Sequence, residues 1–184
     1  AANTLNGQNG NDRLYGGDGN DVLNGGGGRD TAIFSSRANR INLNSTKSQN
    51  TGDGLDRLIS IENINAGSGN DIITGNKAAN TLNGQNGNDR LYGGDGNDVL
   101  NGGGGKDRVW GQAGRDTFRI SKGAGYTIIE DFTDKQDRIH LGSGRSGLRM
   151  VERDDDIYLY LRNDLMAIVV DAADQLQIAG NYLV

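Results

Sequence analysis

Acidic side chains recur at a fixed interval along this 184-residue chain. Asp71, Asp89, Asp98, Asp107 and Asp116 stand on a nine-residue grid in which Asn80 fills the one place without an acid, and Asp12, Asp21 and Asp30 repeat the grid nearer the start. Turns rich in glycine precede these residues, and an apolar side chain follows each two places on: Ile73, Leu82, Leu91, Leu100, Val109 and Phe118, with Leu14, Leu23 and Ala32 in the earlier block. Carboxylates beside carbonyls that no side chain screens are donors for a hard cation. Calcium asks for roughly six to eight oxygens and takes carboxylates and backbone carbonyls together. With no cysteine and a single histidine, His140, the chain has neither thiolate nor His-cluster zinc chemistry.

The element that must position these acids is nine residues long. Gly84 to Arg119 reads GQNGNDRLY GGDGNDVLN GGGGKDRVW GQAGRDTFR, four consecutive copies of one unit. A period of nine fits no α-helix, and short fixed periods mark stacked repeats. Six residues of Gly, Asn and Asp make a turn, and three residues with one apolar side chain in the middle make a very short strand whose middle residue faces inward. The apolar column is therefore an interior ladder.

The units GGDGND at 16–21 and 93–98 resemble the RTX (repeats-in-toxin, haemolysin-type) calcium-binding repeat GGxGxDxUx. The resemblance implies an all-β fold, a right-handed parallel β-roll in which two nonapeptides close one coil and calcium lies between turns on one edge. Loops two repeats apart then meet: Asp71 with Asp89, Asn80 with Asp98, Asp89 with Asp107, Asp98 with Asp116, and Asp12 with Asp30. In the family, turn positions one to four and six share the ligand work. Carried onto matching positions, the first block offers Gly7, Asn9, Gly10 and Asp12, then Gly16, Gly17, Asp18, Gly19 and Asp21, then Gly25, Gly26, Gly27, Gly28 and Asp30. The second offers Gly67, Gly69 and Asp71, Gly75 and Asn80, then Gly84, Asn86, Gly87 and Asp89, and then Gly93, Gly94, Asp95, Gly96 and Asp98. It ends with Gly102, Gly103, Gly104, Gly105 and Asp107, and with Gly111, Ala113, Gly114 and Asp116. About four to six Ca²⁺ ions are expected. The resemblance further implies a bacterial protein secreted by the type I machinery.

Composition agrees with a metal-dependent fold. Thirty-one glycines, no proline and 5% aromatic residues give a chain whose backbone costs about 1–2 kcal/mol per residue to order, against a core of one aliphatic ladder. Metal binding is then expected to supply folding free energy. A net charge of −5 without a basic cluster excludes nucleic acid as partner, and no apolar run spans a membrane.

The grid divides the chain into a block at 1–34, an insert with strands at 35–65, a second block at 66–119 and a C-terminal cap at 120–184. Residues 1–28 are identical to 78–105, so the chain reads as a C-terminal piece of a longer protein built from tandem 77-residue units. Counting back by nines places Ile64 and Leu55 in the ladder and Glu62 and Asp53 in the acid column, where a turn role for Asp53 outweighs a ligand role. Beyond 119, YTIIEDFTDKQDRIHL resembles the segment after the roll in RTX proteins and serralysin-type proteases, and a mostly antiparallel cap must close the exposed ladder. Asp131 and Asp137 match the acids of that motif and either hold a further calcium or cap a turn. The terminal GNYLV reads equally as a last strand or a secretion signal.

Other motifs carry less. Gly142 to Gly147 spells GxGxxG without the helix that a dinucleotide site requires and is expected to be a loop. There is no GxSxG, and one histidine makes no triad, so an enzyme is not expected. Asp154–Asp156 is a solvated turn, and the Asn of each GND is turn chemistry. Trp110, Tyr15 and Tyr92 fall on the outer strand face, where they either cover the sheet or, as the similarity to alginate-epimerase R-modules suggests, grip a glycan. A calcium-binding module is the expectation, with a carbohydrate- or cell-surface-binding module as the alternative.

Overall fold

The computed structural model describes all residues except 121–124, 134, 143–146, 173–175 and 180–181. Short strands alternate between two stacks, and within the repeats each pairs in parallel with the strand two repeats on: Leu82 with Leu100 and Leu91 with Val109. About seven turns result. One stack is continuous. It runs through β2 (Arg13–Leu14), β4 (Thr31–Ile33), β8 (Asn63–Asn65), β10 (Thr81–Asn86), the first part of β12 (Val99–Ala113), β13 (Thr117–Arg119) and β15 (Arg138–His140). The strands are short because the turn code interrupts them at every repeat, yet pairing continues into the turns, as in Gln85 with Gly103.

The opposite stack is divided. Its first sheet holds β1 (Thr4–Asn6), β3 (Val22–Asn24) and β7 (Leu55–Ile59), with the antiparallel β6 (Gln49–Asn50) at its edge. Its second begins at β5 (Arg40–Asn42) and runs through β9 (Ile72–Thr74), β11 (Arg90–Asp95), the second part of β12, β14 (Gly125–Ile129) and β18 (Asp164–Val169). Between β3 and β9 this side carries two strands, β7 and β5, where the continuous side carries only β8 between β4 and β10. Segment 35–65 thus supplies strands to both stacks, and the coil runs through it. At this seam the chain doubles back from β5 through β6 to β7. One consequence is that the identical segments 1–28 and 78–105 sit on opposite stacks: Leu5 lies in β1 of the divided side and Leu82 in β10 of the continuous one.

The core is the ladder itself. Ile73, Leu82, Leu91, Leu100, Val109 and Phe118 are at most 1% exposed, because the middle residue of a three-residue strand has only the interior to face. Ile64 belongs to it, but Leu55 is 53% exposed and Leu58 takes its place. A count by nines fails there because the turn that ends at Asp56, with Gly52 and Gly54, stands three residues out of phase with the grid running back from Asp71. Past β13 the parallel ladder continues, since β14 pairs in parallel with β12 and β18, and β15 with β13. Beyond β13, antiparallel pairing among the described residues is confined to β16 (Leu148–Arg153), β17 (Asp156–Leu161) and β18 on one side, and to β15, β19 (Ile178–Ala179) and β20 (Tyr182–Leu183) on the other. Asp154, at φ 56°, turns the hairpin between β16 and β17, and Tyr182–Leu183 of the terminal segment is a strand. The central four residues of the Gly142–Gly147 motif lie outside the described residues. Among the described residues no helix is long and apolar enough to cross a membrane.

Candidate metal centre

Two columns of side chains run along the turn edges, each built from the last turn residue before a strand. On the edge leading into the continuous stack, the amide of each residue donates to the side chain one coil later: Asp12 to Asp30 Oδ1 at 2.8 Å, Asp30 to Glu62 Oε2 at 2.8 Å, Asn80 to Asp98 Oδ1 at 2.8 Å, Asp98 to Asp116 Oδ1 at 2.8 Å and Asp116 to Asp137 Oδ1 at 2.8 Å. On the other edge Asn39 donates to Asp71, Asp71 to Asp89 and Asp89 to Asp107, at 2.7, 2.8 and 3.0 Å. Asn3 and Asp21 donate to Asp21 and Asp56 in the first sheet. The five pairs expected from the two-repeat spacing are all brought together.

Where the acceptor is an aspartate each of these bonds engages Oδ1, and in the glycine-turn aspartates the other oxygen is left over. Oδ2 of Asp12, Asp21, Asp30, Asp71, Asp89, Asp98, Asp107 and Asp116 is buried without a hydrogen-bond partner. In seven of the eight, that oxygen faces the first glycine of its own turn (Gly7, Gly16, Gly25, Gly84, Gly93, Gly102 or Gly111), and a Cβ there would overlap the carboxylate or sit within 2.6 Å of it. A buried anionic oxygen without a donor is costly. The chain thus keeps a row of cradles, each lined by an unpartnered carboxylate oxygen and unscreened carbonyls, and this donor set suits a hard, oxygen-seeking cation. Among the described residues no three His, Cys, Asp or Glu side chains converge, so most ligands of such a site must be carbonyls.

The second and fourth turn positions have a different task. A Cβ on Gly26, Gly94 or Gly103 would overlap the carbonyl of Gln8, Asn76 or Gln85, and one on Gly28, Gly87, Gly105 or Gly114 would overlap Gly10, Gly69, Gly87 or Gly96. Glycine there lets successive coils touch backbone to backbone.

Electrostatics follow from burial. Desolvation pushes the carboxyls of Asp89 and Asp116 up to about 7 and that of Asp98 up to about 6, and it raises Asp71, Asp107 and Asp137 as well. Backbone N–H donors oppose the rise, while Asp71 and Asp107 add to it at Asp89. Without a counter-cation the ionised column is destabilised.

Asn80 is the exception that fits: its Oδ1 accepts from Asn76 N at 2.8 Å and its Nδ2 donates to Glu62 O at 3.0 Å, so no polar atom is stranded. Asp131 and Asp137 use both oxygens on amides, Asp131 on Gly111 and Gln112, and Asp137 on Asp116 and Thr133. Asp53 is buried and accepts from Ser35 N at 3.0 Å and from Ser35 Oγ. Its expected column place belongs to Asp56, which also accepts from Thr51 Oγ1. The side chains of Asn11, Asn20, Asn70, Asn88 and Asn97 do more than shape their own turns, for each accepts an amide of the next coil. Glu62 takes the column place that the count by nines gives it, and Asn39 stands nine residues after Asp30 in a turn without glycine, while Asp56 ends a turn that keeps Gly52 and Gly54 but lies three residues off the grid running back from Asp71. An inward apolar residue two places later, Leu58, Ile64 or Ile41, is the signal that marks them.

On the outer face Trp110 stacks on Tyr92, centroids 4.5 Å apart and planes at 12°, under the Arg108 guanidinium.

The model of the RTX calcium-binding nonapeptide repeat (4 copies) matches residues 1–32, 60–91 and 83–118. No curated protein sequence matches the chain. Among solved structures, the chain is similar to the AlgE6R3 subunit of the mannuronan C5-epimerase from Azotobacter vinelandii, at 30% identity over 60% of this chain and 83% of that one, with a TM-score of 0.43. It is also similar to the extracellular lipase LipA from Serratia marcescens, at 18% identity over 96% of this chain but only 37% of the lipase, with a TM-score of 0.36. The repeat match and the stacked Asp column agree: the chain belongs to the RTX calcium-binding repeat family.

Proposed function

We propose that this RTX module folds as it takes up about four to six Ca²⁺ outside the cell, after type I export, and so stabilises and helps deliver a larger bacterial protein. The single observation behind this reading is the set of eight buried carboxylate oxygens with no partner. Bound calcium would supply the positive charge that these oxygens lack. The chain's own residues do the rest: the Asp Oδ2 atoms and the carbonyls of turn positions one to four form the cradles, and Oδ1 locks each coil to the next. Without the cation, like charges stack in both columns and the coils open. In this reading the module carries no reaction of its own, and Asp131 and Asp137 close the last coils through amides.

Far-UV circular dichroism of the chelator-stripped chain during a calcium titration, with magnesium as control, tests the reading. A cooperative gain of strand signal at about 10⁻⁴–10⁻³ M calcium is expected. An apo chain already folded and indifferent to calcium refutes it.

The Tyr92–Trp110 stack supports a second reading, binding of a glycan or cell surface on the outer face with calcium only structural. A glycan screen in which Trp110→Ala abolishes binding without loss of calcium affinity would favour it.

A further inference from the structure

The turn code places asparagine directly before glycine six times: Asn6–Gly7, Asn9–Gly10, Asn24–Gly25, Asn83–Gly84, Asn86–Gly87 and Asn101–Gly102. In an open chain this dipeptide is reactive, since a residue without Cβ lets its nitrogen approach the preceding side chain. The glycine nitrogen, giving up its proton, attacks Asn Cγ, the Nδ2 group leaves as ammonia, and a five-membered imide forms. Water then opens either imide bond. The product is aspartate, or isoaspartate when the backbone is rerouted through the side chain.

Stacking closes this route. The amides of Gly7, Gly10, Gly25 and Gly87 donate to Asn24, Gly27, Ile59 and Gly104 of neighbouring coils at 2.8–3.0 Å. Asn101 Nδ2 donates to Asn83 Oδ1 at 3.2 Å, and Asn83 Nδ2 to Asn65 Oδ1 at 3.3 Å, which holds those carboxamides in a ladder along the stack. At four junctions the nucleophile is occupied, and at Asn83–Gly84 and Asn101–Gly102 the electrophile is tied into the ladder.

We infer that the six Asn–Gly junctions are latent modification sites, shielded while the coils are stacked and converted to aspartate or isoaspartate when calcium leaves and the coils open. The link to calcium rests on the folding reading above. Shielding depends only on the stack. Isoaspartate inserts an extra backbone carbon, and at Asn86–Gly87 the stack has no room for one, since even a Cβ on Gly87 overlaps the carbonyl of Gly69. A coil carrying isoaspartate at so tight a junction therefore cannot restack. Calcium loss, reversible at first, becomes permanent in proportion to its duration.

The full chain is incubated in three arms, with calcium, with chelator, and with chelator plus urea, and sampled for peptide mapping by mass spectrometry and for circular dichroism. Each event is read as the mass of one NH₂-to-OH exchange. The expected result is conversion about tenfold or more slower in calcium than in urea at these junctions, with the chelator arm as fast as the urea arm. Samples aged in chelator should also fail to regain strand signal on adding calcium. Equal rates in calcium and urea overturn the inference. A chelator arm that stays folded and shielded refutes calcium-driven folding while upholding shielding. A chelator arm that is unfolded yet unmodified, beside a modified urea arm, overturns the calcium link.

Discussion

Asp89→Asn should have opposite effects with and without calcium. Asp89 lies mid-column, its Oδ1 accepting from Asp71 N at 2.8 Å, its amide donating to Asp107, and its Oδ2 buried without a partner. Burial, with the charges of Asp71 and Asp107, holds its carboxyl at about 7 instead of 3.8. A raised pKa means that folding takes up a proton. The cost of the ionised carboxylate is therefore present in full above about pH 7, shrinks as pH falls, and is gone below about pH 4. The rise corresponds to about 4 kcal/mol. Because neighbouring acids share the same strain, removing one charge should return about half, about 2 kcal/mol, or roughly thirtyfold in the folded-to-unfolded ratio. Asn80 shows that the column accepts an amide with every polar atom satisfied. Circular dichroism in chelator should show more folded variant than wild type at about pH 8 and no difference near pH 4, while the calcium midpoint moves to higher concentration. A variant no better folded than wild type in chelator at pH 8, or an advantage undiminished near pH 4, would refute the electrostatic account.

Asp98→Ala should weaken calcium binding more than Asp12→Ala, since Asp98 has column partners on both sides and Asp12 stands at the end; equal losses by titration calorimetry would remove the idea that Asp98 serves two cradles. Gly87→Ala and Gly10→Ala force the same positive φ, near 130°, but only at Gly87 does the new methyl overlap another coil. Thermal unfolding in saturating calcium should therefore show a loss beyond about 3 kcal/mol at Gly87 and clearly less at Gly10. Asp56→Ala strands the buried Asp21 amide, leaves the Thr51 hydroxyl only its long bond to Gly54 O at 3.4 Å and should cost about 2–3 kcal/mol, whereas Leu55→Ala, on the surface, should cost under about 0.5.

The repeat makes most of this legible in advance. Its spacing yields the ladder from Ile73 to Phe118 and the pairing of each acid with the one two repeats on, because a coil of fixed length turns sequence distance into spatial contact. Legibility stops where the interval does. Asp56 and Leu58, not Asp53 and Leu55, continue the columns, since the doubling back between β5 and β7 consumes a number of residues that no turn code fixes. Past 119 the short alternating runs point to an antiparallel cap, yet Ile129 and Ile139 first extend the parallel ladder beyond the last glycine turn, their strands held by parallel pairing and by Asp131 and Asp137 on the amides of the preceding coil. That Oδ1 binds the chain while Oδ2 is left over cannot be read from composition. It follows from the spacing of stacked amides, which reach only one oxygen of each carboxylate in the glycine turns.

The seam also bears on how such a protein can grow. The duplicated stretch is not a whole number of windings long, and an uninterrupted spiral would leave the copy out of phase with its neighbours. The fold-back takes up the remainder. Its by-product is that one stretch of text is displayed twice, on opposite flanks: Tyr15, 54% exposed, looks out from the continuous side, while its counterpart Tyr92 looks out from the divided side, beneath Trp110. A single duplication thereby yields a particle with two unlike exteriors from identical letters, and selection can tune one flank's neighbours without rewriting the repeat.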